Sequence, residues 1–135
     1  MIHQIRVIFG DTDQLGVVYY ANYLRYFEAA RAAFLRSLGK SQRDLERLEI
    51  GFPVTEARCR YRRPAHYEDL LDVDVRVSSL GLASMHFDYE IRRGDEVIAE
   101  GHTAHACVAP SGRPVRIPGE LRALLGAELP GETSA

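Results

Sequence analysis

Between Tyr19 and Leu38 the chain runs without proline and carries apolar side chains around more than half of a helical circumference. Leu24, Phe27, Arg31, Phe34, Leu35 and Leu38 mark one face at helical spacing, and Tyr23, Tyr26, Ala29, Ala30 and Ala33 widen it. Arg25, Glu28, Ala32 and Arg36 lie mostly elsewhere. A helix with so broad an apolar surface must be surrounded by other structure, and the rest of the chain has to supply it. Gly39 is placed to cap its C-terminus. Ser41, with Asp44 three residues on, opens a second, short helix ending near Leu48.

The flanking sequence changes period. Ile5, Val7 and Phe9 alternate with Arg6 and Ile8, which predicts a first strand. After Gly51, Thr55, Ala57, Cys59 and Tyr61 alternate with Glu56, Arg58, Arg60 and Arg62. Val73, Val75 and Val77 alternate with Asp72, Asp74 and Arg76. Met85, Phe87, Tyr89 and Ile91 alternate with His86, Asp88, Glu90 and Arg92. Each run reads as a strand with one apolar face. Ser79-Leu80-Gly81 and Arg93-Gly94-Asp95-Glu96 read as hairpin turns. Val97 to Ala109 is apolar or small on both faces, the mark of a central strand, and Pro118 to Leu125 forms a closing helix with proline in its first turn. The expected order is a strand, the long helix, then four strands in antiparallel succession. That defines an α+β domain in which a sheet wraps one helix. The 135 residues make one domain, 1–129, with 130–135 a flexible tail.

Composition removes several classes of function. The net charge is −2, with no strongly basic field to hold nucleic acid. No run approaches the ~18 apolar residues of a membrane span, and the first residues lack a signal peptide's apolar core. The two cysteines, Cys59 and Cys107, match neither a metal spacing nor a disulfide scaffold, so they are read as reduced thiols in a cytoplasmic protein. His102 and His105, three apart on a strand, face opposite ways and make no metal site. His86 falls on the polar side of its strand, at the surface.

The chemistry concentrates in Phe9-Gly10-Asp11-Thr12-Asp13-Gln14-Leu15-Gly16-Val17-Val18-Tyr19-Tyr20-Ala21-Asn22-Tyr23. Two carboxylates stand two residues apart in a loop that feeds the apolar helix. One reading is a helix cap. The other is a carboxylate base or nucleophile beside helix-terminal N–H groups that stabilise an oxyanion, with Gly16 admitting substrate close to the backbone.

This stretch, with its continuation Leu24-Arg25-Tyr26-Phe27-Glu28, resembles the 4-hydroxybenzoyl-CoA thioesterase branch of the hotdog superfamily. That branch includes the small acyl-CoA thioesterases encoded beside the Tol–Pal genes. Tyr61-Arg62-Arg63-Pro64-Ala65-His66-Tyr67-Glu68-Asp69-Leu70-Leu71 resembles the family's second signature. The likeness runs from about Ile5 to Ala109. It implies a hotdog fold, a homodimer paired edge to edge with its active sites at the interface, and assembly of dimers into a homotetramer.

The resemblance further implies hydrolysis of an acyl-CoA to free acid and CoA. It assigns the catalytic carboxylate to Asp13, as nucleophile or as the base that activates water. The oxyanion amide falls within Val18, Tyr19 and Tyr20, with Tyr20 favoured. Relatives often carry His where Tyr20 stands, while the hydroxybenzoyl-type enzyme carries Tyr. Asp11 is expected to brace the loop. Glu28 is expected to pair with Arg31 along the helix. His66, Tyr23, Phe27 and Phe52 are candidates for the acyl pocket, although core packing is the favoured reading of the three aromatic residues and a surface position that of His66. Arg60, Arg62 and Arg63 are candidates for the CoA phosphates. No metal and no cofactor beyond the substrate's own CoA is expected. Two other readings compete: a silent acyl-CoA-binding or scaffold protein, and an acyl-thioester dehydratase or hydratase. The latter needs a His near the long helix, and none lies between His3 and His66.

Overall fold

The computed structural model describes residues 1–130. Five antiparallel strands form one sheet: β1 (Ile2–Arg6), β2 (Val54–Tyr61), β3 (Leu70–Leu80), β4 (Ser84–Arg93) and β5 (Glu96–Ala106), in the order β1-β3-β4-β5-β2. The long helix α1 (Asn22–Ser37) lies in the curl of the sheet, followed by α2 (Gln42–Arg47), and α3 (Gly119–Ala127) closes the fold. The architecture is the α+β hotdog arrangement of a sheet around one helix.

The period-two runs supply the sheet's inner face. Leu71, Val73, Val75 and Val77 of β3 pack beside Met85, Phe87, Tyr89 and Ile91 of β4, all essentially buried. Against them α1 sets Tyr23, Tyr26, Phe27, Ala30, Ala33 and Phe34. Burying side chains of this size stabilises the fold by roughly 1.5–3 kcal/mol each. Phe27 stacks on Tyr89 at 4.4 Å between ring centroids. It does so because Gly101 of β5 has no side chain: a Cβ there would stand 2.2 Å from the Phe27 ring. The helix ends as expected. Gly39 takes φ +75°, the Gly39 amide donates to Arg36 O, and the Lys40 amide donates to Leu35 O, both at 2.9 Å. Ser41 and Asp44 form a reciprocal capping box on α2.

Several expectations are corrected. The helix begins at Asn22 rather than Tyr19, because Tyr19–Asn22 forms a separate turn. Its buried stripe runs through Tyr23, Tyr26 and Phe27, while Leu24, Arg25, Glu28 and Arg36 form an exposed side. Within one chain the helix is therefore not surrounded. β1 starts and ends earlier than expected, and Phe9 belongs to a 3-10 turn with its ring exposed. Pro118 precedes α3 as its N-cap. The largest difference is in strand order. β2 pairs not with β3 but with β5, at the far edge. Residues 62–69 then cross back so that β3 can lie between β1 and β4. The expected tail, 130–135, lies outside the described residues except for Pro130.

A file of polar side chains crosses the core. Arg31 Nη1 donates to the Tyr89 hydroxyl (3.0 Å), which lies 2.6 Å from Thr103 Oγ1. That oxygen is 2.8 Å from His105 Nε2, and His105 Nδ1 is 3.0 Å from Phe52 O. The Phe52 carbonyl only accepts, so Nδ1 carries the proton. With Nε2 bare, Thr103 donates to it and Tyr89 donates to Thr103. Every donation points the same way, from Arg31 toward Phe52. Burial is the main force lowering the His105 pKa, to about 4 from 6.5, with smaller contributions from Arg31, His86 and His102 opposing the Phe52 hydrogen bond.

The unfolded chain therefore takes up a proton at this histidine near pH 6.5, whereas the folded one resists until about pH 4. Stability is lost as pH falls between those values. From pH 7.5 to pH 5 the wild type should lose about 2 kcal/mol more than a His105→Gln variant in urea unfolding. Equal losses would contradict a buried neutral His105.

Candidate active site

Both signature segments meet at the N-terminal end of α1, and the crossover after β2 brings them together. The Val18 amide donates to Ala65 O at 2.8 Å, and Val17 bridges to His66. Thr12 pairs with Val18, so residues 12–18 form a small hairpin. Gly16 turns it at φ +80°, and the Gly16 amide donates to Asp13 O (3.0 Å). Gly16 serves the turn itself: a Cβ there would meet nothing within 4 Å.

Asp11 and Asp13 have different environments. Asp11 is 5% exposed. Tyr26 donates its hydroxyl to Asp11 Oδ2 at 2.7 Å, and Arg25 bonds Oδ1. The Asp11 carbonyl accepts the Tyr19 amide and Asn22 Nδ2, each at 2.9 Å. Burial, then the hydrogen bond to Asp11, pushes the Tyr26 phenol far upward, so it remains a donor. Asp11 thus lashes the loop to the first turns of α1 through Asn22, Arg25 and Tyr26, the bracing role expected of it. Asp13 lies at the hairpin's turn, half-buried. Its Oδ1 accepts the Leu15 amide at 2.8 Å, and among the described residues nothing donates to Oδ2. The neighbouring Tyr20 side chain is the main force raising the Tyr19 phenol, with burial and then the charge of Asp13 adding less.

The backbone amides divide sharply. Gly16, Val18 and Tyr19 all donate within the chain, to Asp13 O, Ala65 O and Asp11 O. The helix's first amides are also engaged: Asn22, Tyr23 and Leu24 donate to the carbonyls of Tyr19, Tyr20 and Ala21. Among the described residues the amides of Tyr20 and Ala21 have no partner. Of these two residues only Tyr20 lines an apolar groove of about 270 Å³, with Val17, whose amide is likewise without a partner, and with Tyr23, Tyr61 and Pro64. Tyr61 packs edge-on against Tyr20 and Tyr23 and donates its hydroxyl to Tyr20 O at 3.2 Å.

The remaining candidates separate. Arg62 and Arg63 line the same groove and also pair with Glu100 and Glu96, at 3.2 and 3.6 Å. Arg60 lies on the outer face of β2, in a different surface depression. Tyr23 is buried at the groove's back wall. Phe27 is wholly buried beneath Gly101 and does not reach the groove. Phe52 lines another cleft, beside the C-terminal half of α1. His66 is exposed. Its amide, with Arg93 Nη1, holds Asp69 Oδ2 at 2.8 and 2.7 Å. Burial alone would raise the Asp69 pKa, but these two donors outweigh it and hold the carboxyl below its usual range.

The expected Glu28–Arg31 ion pair does not form, because Arg31 turns inward to the Tyr89 hydroxyl. His86 is half-buried on the sheet's outer face, 3.2 Å from His102, which contacts Asp88 at 2.7 Å. His102 and His105 do face opposite sides. Sequence reasoning did not name Tyr61 and Pro64 as groove walls, since only the crossover places them against Tyr20.

Comparison with known proteins agrees with this architecture. Residues 7–125 match the thioesterase-like superfamily. An acyl-CoA thioesterase, YbgC, of Haemophilus influenzae is 36% identical over 88% of this chain and 89% of its own. The crystal structure of a hypothetical protein from Aquifex aeolicus superposes with a TM-score of 0.89 at 34% identity, covering 93% of this chain and 98% of that one. That of a gentisyl-coenzyme A thioesterase gives a TM-score of 0.83 at 30% identity over 93% and 99%. The chain belongs to the thioesterase-like superfamily, with the hotdog fold. It is accordingly an enzyme of the thioester-hydrolase class.

Proposed function

We propose that this protein hydrolyses acyl-CoA thioesters to a free acid and CoA, with Asp13 as the reacting carboxylate and the Tyr20 amide as oxyanion donor. The observation that carries this reading is the unpartnered Tyr20 N–H at the apolar groove, where the other amides that the resemblance offers, those of Gly16, Val18 and Tyr19, are engaged within the loop. Names of relatives support the substrate class, since one is an acyl-CoA thioesterase and another a gentisyl-coenzyme A thioesterase. In the proposed reaction, Asp13 or a water it deprotonates attacks the carbonyl carbon. Negative charge gathers on the carbonyl oxygen and is met by the Tyr20 N–H. The C–S bond breaks, and CoA leaves as thiolate. If Asp13 attacks directly, water then cleaves the acid anhydride. No cofactor beyond the substrate's CoA enters these steps. Arg62 and Arg63, at the groove's rim, are the candidates nearest to meet CoA phosphates.

Tyr20 occupies the second position of the turn closed by the Asn22 amide on Tyr19 O (2.9 Å), a position that favours proline. Tyr20→Pro removes the N–H and retains the turn. It should cost about 10²-fold in kcat relative to Tyr20→Ala, in line with loss of one oxyanion donor. Equal rates for the two variants would exclude this amide.

The functional unit is proposed to be a homodimer, with dimers pairing further into a tetramer. All of β2 but Cys59 is exposed, and β2 is an edge strand whose outer backbone groups have no ladder partner. Its last residue, Tyr61, walls the groove, so a second copy paired along β2 would stand beside the site. Leu15 and Phe9, 85% and 75% exposed in the loop that carries Asp13, are further apolar surface for association to cover. Light scattering at micromolar concentration should show a dimer or larger species. A monomer would contradict the pairing. Both cysteines are free thiols, which supports a reducing, cytoplasmic setting. No helix among the described residues is long and apolar enough to cross a membrane.

A further inference from the structure

The cleft beside the C-terminal half of α1 is distinct from the tyrosine groove. It encloses about 470 Å³ between α1, α2 and β4, and Leu35, Leu45, Phe52 and Met85 give it an apolar lining. Arg31 enters from α1. Its guanidinium has five N–H donors, and the structure engages one of them, on the Tyr89 hydroxyl. No carboxylate stands within 4 Å of it among the described residues. Glu28 borders the cleft but does not reach Arg31. Arg36 and Arg43 border it too and are likewise unpaired, while Lys40 is held by Glu120 at 2.7 Å. The cleft thus has an apolar floor and a polar rim, with Ser41 and Gln42 beside an excess of positive charge.

Arg31 is also held in place. The one-way file of hydrogen bonds through Tyr89, Thr103 and His105 begins at this guanidinium and ends on the carbonyl of Phe52, and both ends line the cleft. A cation fixed from behind loses little freedom when it takes a ligand. A half-buried charge without a counter-ion gains most from an anion. Arginine's planar fork matches a carboxylate.

We infer that this cleft binds an apolar carboxylic acid in its ionised form, with Arg31 holding the carboxylate and Phe52, with the edges of Leu35 and Leu45, holding the hydrocarbon above the buried Met85. Such an acid belongs to the class that thioester hydrolysis releases. The binding itself does not depend on hydrolysis, so Asp13→Asn protein should bind it as the wild type does.

Met85 is the only methionine besides Met1. In protein labelled with [methyl-13C]methionine, titration with sodium octanoate should move the Met85 methyl resonance saturably, with a Kd of about 1 mM or tighter. Arg31→Gln keeps a donor for Tyr89 and removes the charge, and it should weaken binding about tenfold or more. Arg31→Lys should recover part of that loss. Octanol, which lacks the charge, should bind wild type and Arg31→Gln alike. Phe52→Trp fills the cleft with Arg31 intact and should abolish the octanoate response, which keeps the test decisive should Arg31→Gln fail to fold. An unmoved Met85 resonance, equal octanoate affinity in Arg31→Gln, or an undiminished response in Phe52→Trp would each overturn the inference.

Discussion

Asp13→Asn protein is expected to lose acyl-CoA hydrolysis by about 10³-fold or more while keeping its melting temperature, its oligomeric state and its affinity for thioester. The substitution is nearly isosteric. The side-chain oxygen of Asn can still accept the Leu15 amide, so the turn that ends at Gly16 survives. What disappears is the charge at Oδ2, the one carboxylate oxygen of the loop without an internal donor. An amide neither attacks a thioester carbonyl usefully nor takes a proton from water. A 10³-fold loss is about 4 kcal/mol in the barrier. Release of CoA thiol, measured beside binding of a non-hydrolysable acyl-CoA analogue, separates chemistry from affinity. Full turnover by Asp13→Asn would remove Asp13 from the mechanism.

Asp11→Ala should do the reverse in the first instance, costing about 3 kcal/mol of stability in urea unfolding. The Tyr26 hydroxyl is buried and would lose its acceptor. Arg25 contributes less, since its side chain is 55% exposed. The backbone bonds from Tyr19 and Asn22 to Asp11 O remain, so the loop should stay near α1. Asp11→Asn keeps one acceptor and should cost less than Asp11→Ala. If Asp11→Asn instead matched the Asp13 variant in lost turnover at an unchanged melting temperature, the roles of the two carboxylates would be exchanged.

The contrast between these residues explains what a sequence can convey. Asp11 and Asp13 lie in one continuous motif, so spacing and resemblance alone were enough to single them out as candidates. So could the faces of β3 and β4, where a half-buried antiparallel strand writes its burial into alternate residues. Strand order is not written that way. β2 has the same alternation whether it pairs with β3 or with β5, and the crossover through Pro64 and Ala65 decides. Because that crossover also carries Tyr61 and Arg62 to Tyr20, the groove's walls were hidden along with the topology. Helical spacing made Glu28 and Arg31 look like partners, yet Arg31 reaches a phenol 58 residues away whose need for a donor only the folded core reveals. For Phe27 and Phe52 the sequence offers both core and pocket, with core favoured, and does not say where either ring goes. Packing sends one beneath Gly101 and the other to a separate cleft. Among Gly16, Val18, Tyr19 and Tyr20, only the hydrogen bonds of the folded loop single out the Tyr20 amide as free.

Asp13, the Tyr20 amide and the tyrosine groove are proposed to work together as a thioesterase site. Release of CoA thiol by the wild-type protein, followed across a panel of benzoyl-CoA and straight-chain acyl-CoAs, tests this most directly. Catalytic release from at least one of these thioesters is expected. Saturable binding of the panel with no thiol released from any of them would contradict it, and would leave an acyl-CoA-binding protein on a thioesterase fold.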